Sequence, residues 1–395
     1  MKMRKIYFIM LVIIIFSIIT ACSNGGAKNS GNRIKEQGDS DTNVVDKKGE
    51  TNQEELAGIP RTAADIKTYW PTAGWQETTP ESVGMDSALL ADMFKQIEKD
   101  HIPMDGFIVI KDGYIVAEKY GSEFDKDMVH PIYSITKSLT SGLVGAAIKQ
   151  GAISSVNDKV INYLDEDKLI NLDDWKKDLS IKNFLTMQSG IDFPEQTQKG
   201  FYNSDTWKAF MEGEDPAYYI FNRPVSDHPD AWNYSTGDAR VVSKVVQKAT
   251  GVKLSDFAKQ NLFEPLGISD VEWPSDRSGT SFGGTGVKMK PRDIAKIGYL
   301  YLNNGKWGEQ QILPKGWVQE STQPYADTNH NFDGDKYGYF FWLKPINGFE
   351  TFRGMGLYGQ YMVVIPKLNL VVVQTSSGMD VDPLLEKYII PAIKK

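Results

Sequence analysis

The sequence predicts an α/β fold of the α+β kind: one antiparallel sheet built from both ends of the folded region and flanked by helices, with a mainly helical subdomain inserted roughly over 152–290. Three observations carry this. A hairpin signal stands early in the folded region, and a pair of apolar strands stands near its end. Helical patterns and turn-rich stretches fill the span between them. In the hairpin, "GFIVI" and "YIVAEKY" flank Lys111-Asp112-Gly113, a short polar turn of the type that joins antiparallel strands. In the late pair, "YMVVIP" (361–366) and "LNLVVVQTS" (368–376) are apolar runs of strand length.

Taken in order, the chain opens with basic Met1–Lys5 and a nearly all-apolar Ile6–Ile19, followed by Thr20-Ala21-Cys22. These are the charged and hydrophobic regions of a signal peptide, residues 1–21, too short and one-sided for a comfortable membrane span. "ITAC" resembles a bacterial lipobox, which implies that Cys22 is lipidated after cleavage. Cys22 is the only cysteine, so it cannot form an internal disulfide. The alternative is a plain secretory leader with an incidental cysteine. Ser23–Glu55 is mostly Gly, Ser, Asn, Lys, Asp and Glu with four apolar residues, too few to offset its ordering entropy. Residues 22–58 therefore read as a lipid-bearing, flexible tether. As a random coil Ser23–Glu55 spans roughly 30 Å and stretched about 110 Å, holding a domain over 59–395 at the extracytoplasmic membrane surface.

Within that domain, Asp86 caps a helix whose apolar residues Leu89, Leu90, Met93, Phe94 and Ile97 fall at helical spacing. A second helix starts after Pro131 and carries Ile135, Leu139, Leu143, Val144, Ala147 and Ile148, with Gly151 as its stop. Its other residues are small, which suits burial. "PRDIAKIGYLYLN" (291–303) gives a third helix and Asp382–Ile393 a terminal one.

The second helix carries the chemistry. Ser134 and Lys137 are three apart and so share one helix face. A desolvated lysine loses its proton readily, and a helix N-terminus favours developing negative charge at the serine. Those are the requirements of an activated nucleophile. The competing reading is an ordinary helix start, because a Ser-x-x-Lys spacing arises about once by chance in a chain this long. This is its only occurrence here.

Residues 75–395 resemble the serine β-lactamase/penicillin-binding-protein superfamily, in the branch of class C-like esterases and 6-aminohexanoate-dimer-type hydrolases. The resemblance rests on "YSITKS", "LTMQSGI" (185–191), "LFEPLGI" (262–268), "GGTGVKMKPRDIAKIGYLYLNNGKW" (283–307) and "GQYMVVIPKLNLVVV" (359–373), in the expected order. It implies a β-lactamase/DD-peptidase-like fold and a Ser-Lys-Tyr mechanism with Ser134, Lys137 and Tyr234 catalytic. Tyr234 lies in "WNYSTG" (232–237), where Thr236 stands in place of the asparagine of Tyr-x-Asn. That departure fits an esterase better than an efficient β-lactamase. The third motif aligns at Gly354-Met355-Gly356, which with Thr236 would contact substrate, and the backbone amides of Ser134 and Leu357 would form the oxyanion hole. Strand-edge glycines let substrate approach closely. Arg353 is either a surface arginine or an anchor for a substrate carboxylate. The implied substrate is a small-molecule or cell-wall ester or amide, with no cofactor and no metal.

Other signals are weaker. Gly279–Gly283 fits G-x-S-x-G, but Ser281 has no strand before it and no helix after it, as a nucleophile elbow requires. His101, His130, His228 and His330 make no metal spacing, though one of them would suit a place beside the site. Asp327, Asn329, Asn331 and Asp333 alternate as in a calcium loop but lack its glycine and distal glutamate in either frame; a solvated turn is the simpler reading. A net charge of −7 and a pI near 5.3 give no footprint for nucleic acid. Three classes remain: a Ser-Lys-Tyr acyl hydrolase, a non-catalytic penicillin-binding, sensing or wall-binding module on the same fold, and an α/β-hydrolase using Ser281. The complete set of three catalytic residues favours the first.

Overall fold

The computed structural model describes residues 69–197, 200–201, 204–328 and 336–394. The signal peptide, Cys22 and the tether lie outside the described residues, as do Asn329, His330, Asn331 and Asp333. Among the described residues no helix is long and apolar enough to cross a membrane.

The hairpin forms where expected. Strand β1 (Met104–Lys111) pairs with β2 (Tyr114–Tyr120) across Asp112-Gly113. Both turn residues are left-handed (φ 52° and 87°), the geometry whose twist matches the flanking strands. Strands β3 (Ala326–Asp327), β4 (Lys336–Tyr337), β5 (Trp342–Leu343), β6 (Phe352–Gly356), β7 (Gln360–Ile365) and β8 (Leu370–Ser376) complete the sheet. Its order is β2-β1-β8-β7-β6-β5-β4-β3, antiparallel throughout. β8 lies beside β1, with Val373 opposite Ile108, so the two ends of the domain meet inside the sheet, as its second and third strands. The short strands β3 to β5 carry no alternation to find in the sequence, because two residues span a single period and nothing repeats.

Alternate residues of the central strands feed two cores. Ile108, Ile110, Met362, Val364, Val371 and Val373 face the larger, while Phe107, Val109, Val363, Ile365 and Val372 face the smaller. The smaller core is closed by helix α1 (Ser87–Lys99), whose cap Asp86 accepts the Ala88 N–H, and by the helical run at 382–392. That run contains a π-turn at Leu385–Ile389 just before Pro391, and Lys259–Phe263 makes another just before Pro265. A proline has no N–H to give the preceding turn, and the wider turn accommodates that loss.

The larger core holds helices α2 (Ile135–Lys149), α3 (Thr236–Thr250) and α4 (Pro291–Leu302). Every residue of α2 from Ile135 to Ala147 is buried. A surface helix buries one stripe; α2, apolar or small all round, runs between the sheet and the inserted helices, touching β6, β7 and α3. Its N-terminus is thereby delivered to the seam between sheet and insertion.

Candidate active site

Ser134 occupies the N-cap of α2 (φ −75°, ψ −3°), yet its hydroxyl makes no capping hydrogen bond. It remains partly exposed, while Lys137 in the first turn is 1% exposed. The lysine Nζ lies 3.0 Å from Ser134 Oγ, 3.0 Å from Thr236 Oγ1 and 2.9 Å from the Gly284 carbonyl oxygen. An ammonium donates to all three. A neutral amine has two N–H groups and one lone pair, and it fits the same cage: the carbonyl can only accept, but either hydroxyl can reverse its role. Donation to Gly284 and Thr236 leaves the lone pair for the Ser134 O–H. Burial pushes the Lys137 pKa down to about 8, with Glu195 and Asp238 acting in the opposite direction.

The cage is assembled from three distant stretches. "GGTGVKM" supplies the Gly284 carbonyl. It also pins the approach to α2: His130 and Pro131 pair with Met289 and Lys288, Ile132 N–H donates to Val287, and Thr140 Oγ1 donates to Gly283. "LTMQSGI" positions the tyrosine segment. Met187, itself left-handed (φ 60°), accepts the Asn233 N–H on its carbonyl and the Ser235 N–H on Sδ. Tyr234 therefore stands just ahead of α3, its ring centroid 4.7 Å from Lys137 Nζ, within cation–π range. Trp342 of β5 stacks on it at 5.5 Å and 28°.

Two carboxyls below this cage carried no signal in the sequence. Glu195, 5% exposed, accepts the Thr236 N–H, and burial raises its pKa while Lys137 lowers it. Asp238 Oδ1 accepts the Ser189 hydroxyl at 2.9 Å, and burial pushes its pKa up to about 8. A carboxyl two residues into α3 looks in sequence like an ordinary first-turn acid, and only its burial separates it from one.

The third motif reaches the same place. β6 lies inside the sheet, but β5 pairs only with Phe352 and Arg353, so Gly354 to Gly356 run past its end and behave as a local edge. The two glycines have a packing reason. A Cβ on Gly354 would sit 2.9 Å from Ser138 Oγ, and one on Gly356 would overlap the Ile132 carbonyl. Both therefore let the strand close on the start of α2. Met355 packs partly against both cores. Leu357 follows, and the Tyr358 ring meets that of Tyr133 at 5.4 Å. Arg353 is neither of the things expected of it. It is fully buried, with Nη1 2.6 Å from Asp382 Oδ1 and Nη2 donating to Thr351, and so offers nothing to a substrate carboxylate.

Ser281 is fully buried, its hydroxyl accepting the Ser255 N–H at 3.1 Å, with neither strand nor helix forming an elbow. His130 Nε2 lies 2.9 Å from Asp105. Asp327 pairs with Lys336, and among the described residues no cluster of metal-ligating groups occurs.

Residues 90–390 match the family described as Beta-lactamase. The chain is 25% identical over 294 residues to the 6-aminohexanoate-dimer hydrolase of Paenarthrobacter ureafaciens, a stretch covering 70% of this chain and 74% of that one. Among solved structures, EstCE1, a hydrolase with promiscuous acyltransferase activity, superposes with a TM-score of 0.63 at 15% identity, over 80% of this chain and 99% of its own. A penicillin-binding protein homolog from Caulobacter crescentus superposes at 0.62 and 14% identity, covering 76% and 95%. These two likenesses show the fold.

Proposed function

Because the chain belongs to the beta-lactamase family of serine hydrolases, we propose that it cleaves esters, and amides less readily, through an acyl-enzyme on Ser134. The observation that carries this reading is the buried Lys137 amine, 3.0 Å from Ser134 Oγ in a cage that suits its neutral form. Lys137 takes the hydroxyl proton as Oγ bonds the acyl carbon, and the carbonyl electron pair moves onto oxygen. The amides of Ser134 and Leu357 receive that oxyanion. As the tetrahedral species collapses, the alcohol leaves with a proton returned by Lys137, directly or through Tyr234. Water then attacks the acyl group and gives its proton to the same base, and the acid departs from a restored Ser134.

Two features support esters over β-lactams. The Thr236 hydroxyl is engaged by Lys137 and replaces an amide that would offer both a donor and an acceptor. Gly354 faces Ser138 and Ile135, so no cation projects from that position to grip a carboxylate. Amide cleavage also demands protonation of a poor leaving group, a task that needs tighter proton delivery. A fluorophosphonate should label Ser134, and Ser134→Ala should abolish labelling while Ser281→Ala preserves it. An adduct mapped to Ser281 would overturn the assignment. p-Nitrophenyl butyrate should be cleaved with far higher kcat/KM than nitrocefin; the reverse order would refute the ester preference.

The same proposal places the domain on the outer face of a bacterial membrane, tethered through a lipidated Cys22. The support is the "ITAC" stretch and the absence of any other cysteine. Cys22→Ala should release the protein into the soluble fraction, and unchanged membrane association would count against the anchor.

A further inference from the structure

Tyr133 and Tyr358 are chain neighbours of the two residues whose amides the proposed reaction uses. Tyr133 immediately precedes Ser134 and Tyr358 immediately follows Leu357. On the acyl-enzyme reading above, a carbonyl oxygen held between the amides of Ser134 and Leu357 has these two side chains as its chain neighbours. Their rings meet edge to face, 5.4 Å apart at 74°. Both residues hold left-handed backbone, φ 46° for Tyr133 and 64° for Tyr358, a conformation unfavourable for a bulky aromatic residue unless its surroundings enforce it.

The surroundings do enforce it. Each carbonyl of the turn between β6 and β7 is tied from the core side. Gln360 Nε2 donates to Leu357 at 3.2 Å, Ser376 Oγ to Tyr358 at 3.0 Å, and Gln374 Nε2 to Gly359 at 3.0 Å. Despite this anchoring Tyr358 is 55% exposed, one of few large hydrophobic residues left so open among the described residues. Strain of this kind, held rigidly beside a reacting group, points to a contact the free protein lacks. What the two rings offer such a contact is aromatic surface, already paired edge to face. Burial, with lesser contributions from Tyr358 and Asp105, holds the Tyr133 phenol above its usual titration range, so it stays neutral. The nearby Asp105 is occupied by His130.

We propose that Tyr133 and Tyr358 form an aromatic subsite that receives a flat, apolar group attached to the scissile ester. Such a group stacks on or meets the edge of a ring at little entropic cost, because the rings are already fixed. The subsite makes the enzyme selective for aryl-bearing esters over small alkyl ones.

Tyr358→Gly is the informative variant: glycine accepts the left-handed backbone, so the turn survives and only the ring is lost. Hydrolysis of ethyl acetate, phenyl acetate and ethyl phenylacetate would be followed by pH-stat. The expected result is that Tyr358→Gly lowers kcat/KM for at least one aromatic ester about tenfold more than for ethyl acetate, mainly through KM. Tyr358→Phe, which keeps the ring, should restore the preference. Where the wild-type protein hydrolyses these esters, an equal loss on all three, or no loss on any, overturns the subsite. Binding of phenyl acetate to Ser134→Ala protein, measured by calorimetry with and without Tyr358→Gly, separates the two readings. A weakened affinity in the double variant supports the subsite even if the wild-type protein turns over none of the esters, whereas an unchanged affinity overturns it even if turnover is normal.

Discussion

Lys137 has two protonation states, and each is useful at a different moment. As an amine it takes the Ser134 proton; as an ammonium it returns one to the leaving group. Burial lowers its pKa to about 8, while Glu195 and Asp238 hold it up. Since the amine is the form that begins the reaction, kcat/KM should rise with pH through a limb near 8. Glu195→Gln removes a negative charge that favours the ammonium, so the limb should move to lower pH, leaving the variant relatively more active below neutrality. The Gln carbonyl still accepts the Thr236 N–H, which keeps the geometry of α3. A pH profile on p-nitrophenyl butyrate checks this; an unmoved limb would mean that Glu195 is already protonated in the free site. Lys137→Ala should cost about 10²–10⁴-fold in rate at any pH, the usual scale for losing a positioned base.

At the level of elements, the site depends on how closely β6 approaches α2. Ser138 Oγ donates to the Phe340 carbonyl at 2.9 Å, in the very space a side chain on Gly354 would need. Gly354→Ala should therefore cost about 1–3 kcal/mol, by overpacking and by displacing that hydroxyl. The seam it opens lies one helical turn from Ser134, so activity should fall along with stability. Chemical denaturation together with an esterase assay tests both, and a variant of unchanged stability would show that the strand sits further from the helix. The same geometry limits redesign. Installing a lysine at 354 to grip a carboxylate places its first carbon into Ser138, so the change should destabilise the protein rather than create a β-lactamase.

Across the whole molecule, the end of the chain secures the third motif. Asp382 opens the terminal helical run and accepts from Arg353 on β6 and from Lys344, joining the smaller core to the strand beside the nucleophile. Arg353 is wholly buried, so removing its partner leaves an uncompensated charge. Asp382→Ala should cost about 3–5 kcal/mol, while Arg353→Met with Asp382→Leu should cost much less, because the wholly buried charge goes with its partner and only the partly exposed Lys344 loses this contact. Equilibrium unfolding of the two variants decides it; equal losses would show that the pair's charge is solvated rather than buried.

Local periodicity was enough to read much of this protein from its sequence. The hairpin at 111–113, the late strand pair, the helices after Asp86 and Pro291, and the three-residue spacing of Ser134 and Lys137 depend on residues close in the chain, where side-chain period and turn chemistry act directly. The ordered blocks from "LTMQSGI" to "GQYMVVIP" belonged to the same legible part, although their structural work did not: Met187 bracing the tyrosine segment and Gly284 holding the lysine became visible only once the chain was folded. Tertiary structure alone decided the fate of the charges. Arginine is usually exposed, so Arg353 suggests a surface residue until Asp382, twenty-nine positions later, is brought against it. Glu195 and Asp238 look like ordinary acids until burial raises their pKa values beside Lys137. The reason is physical: a helix or a turn is specified by neighbours in sequence, whereas desolvation and pairing depend on what the rest of the chain places around a group.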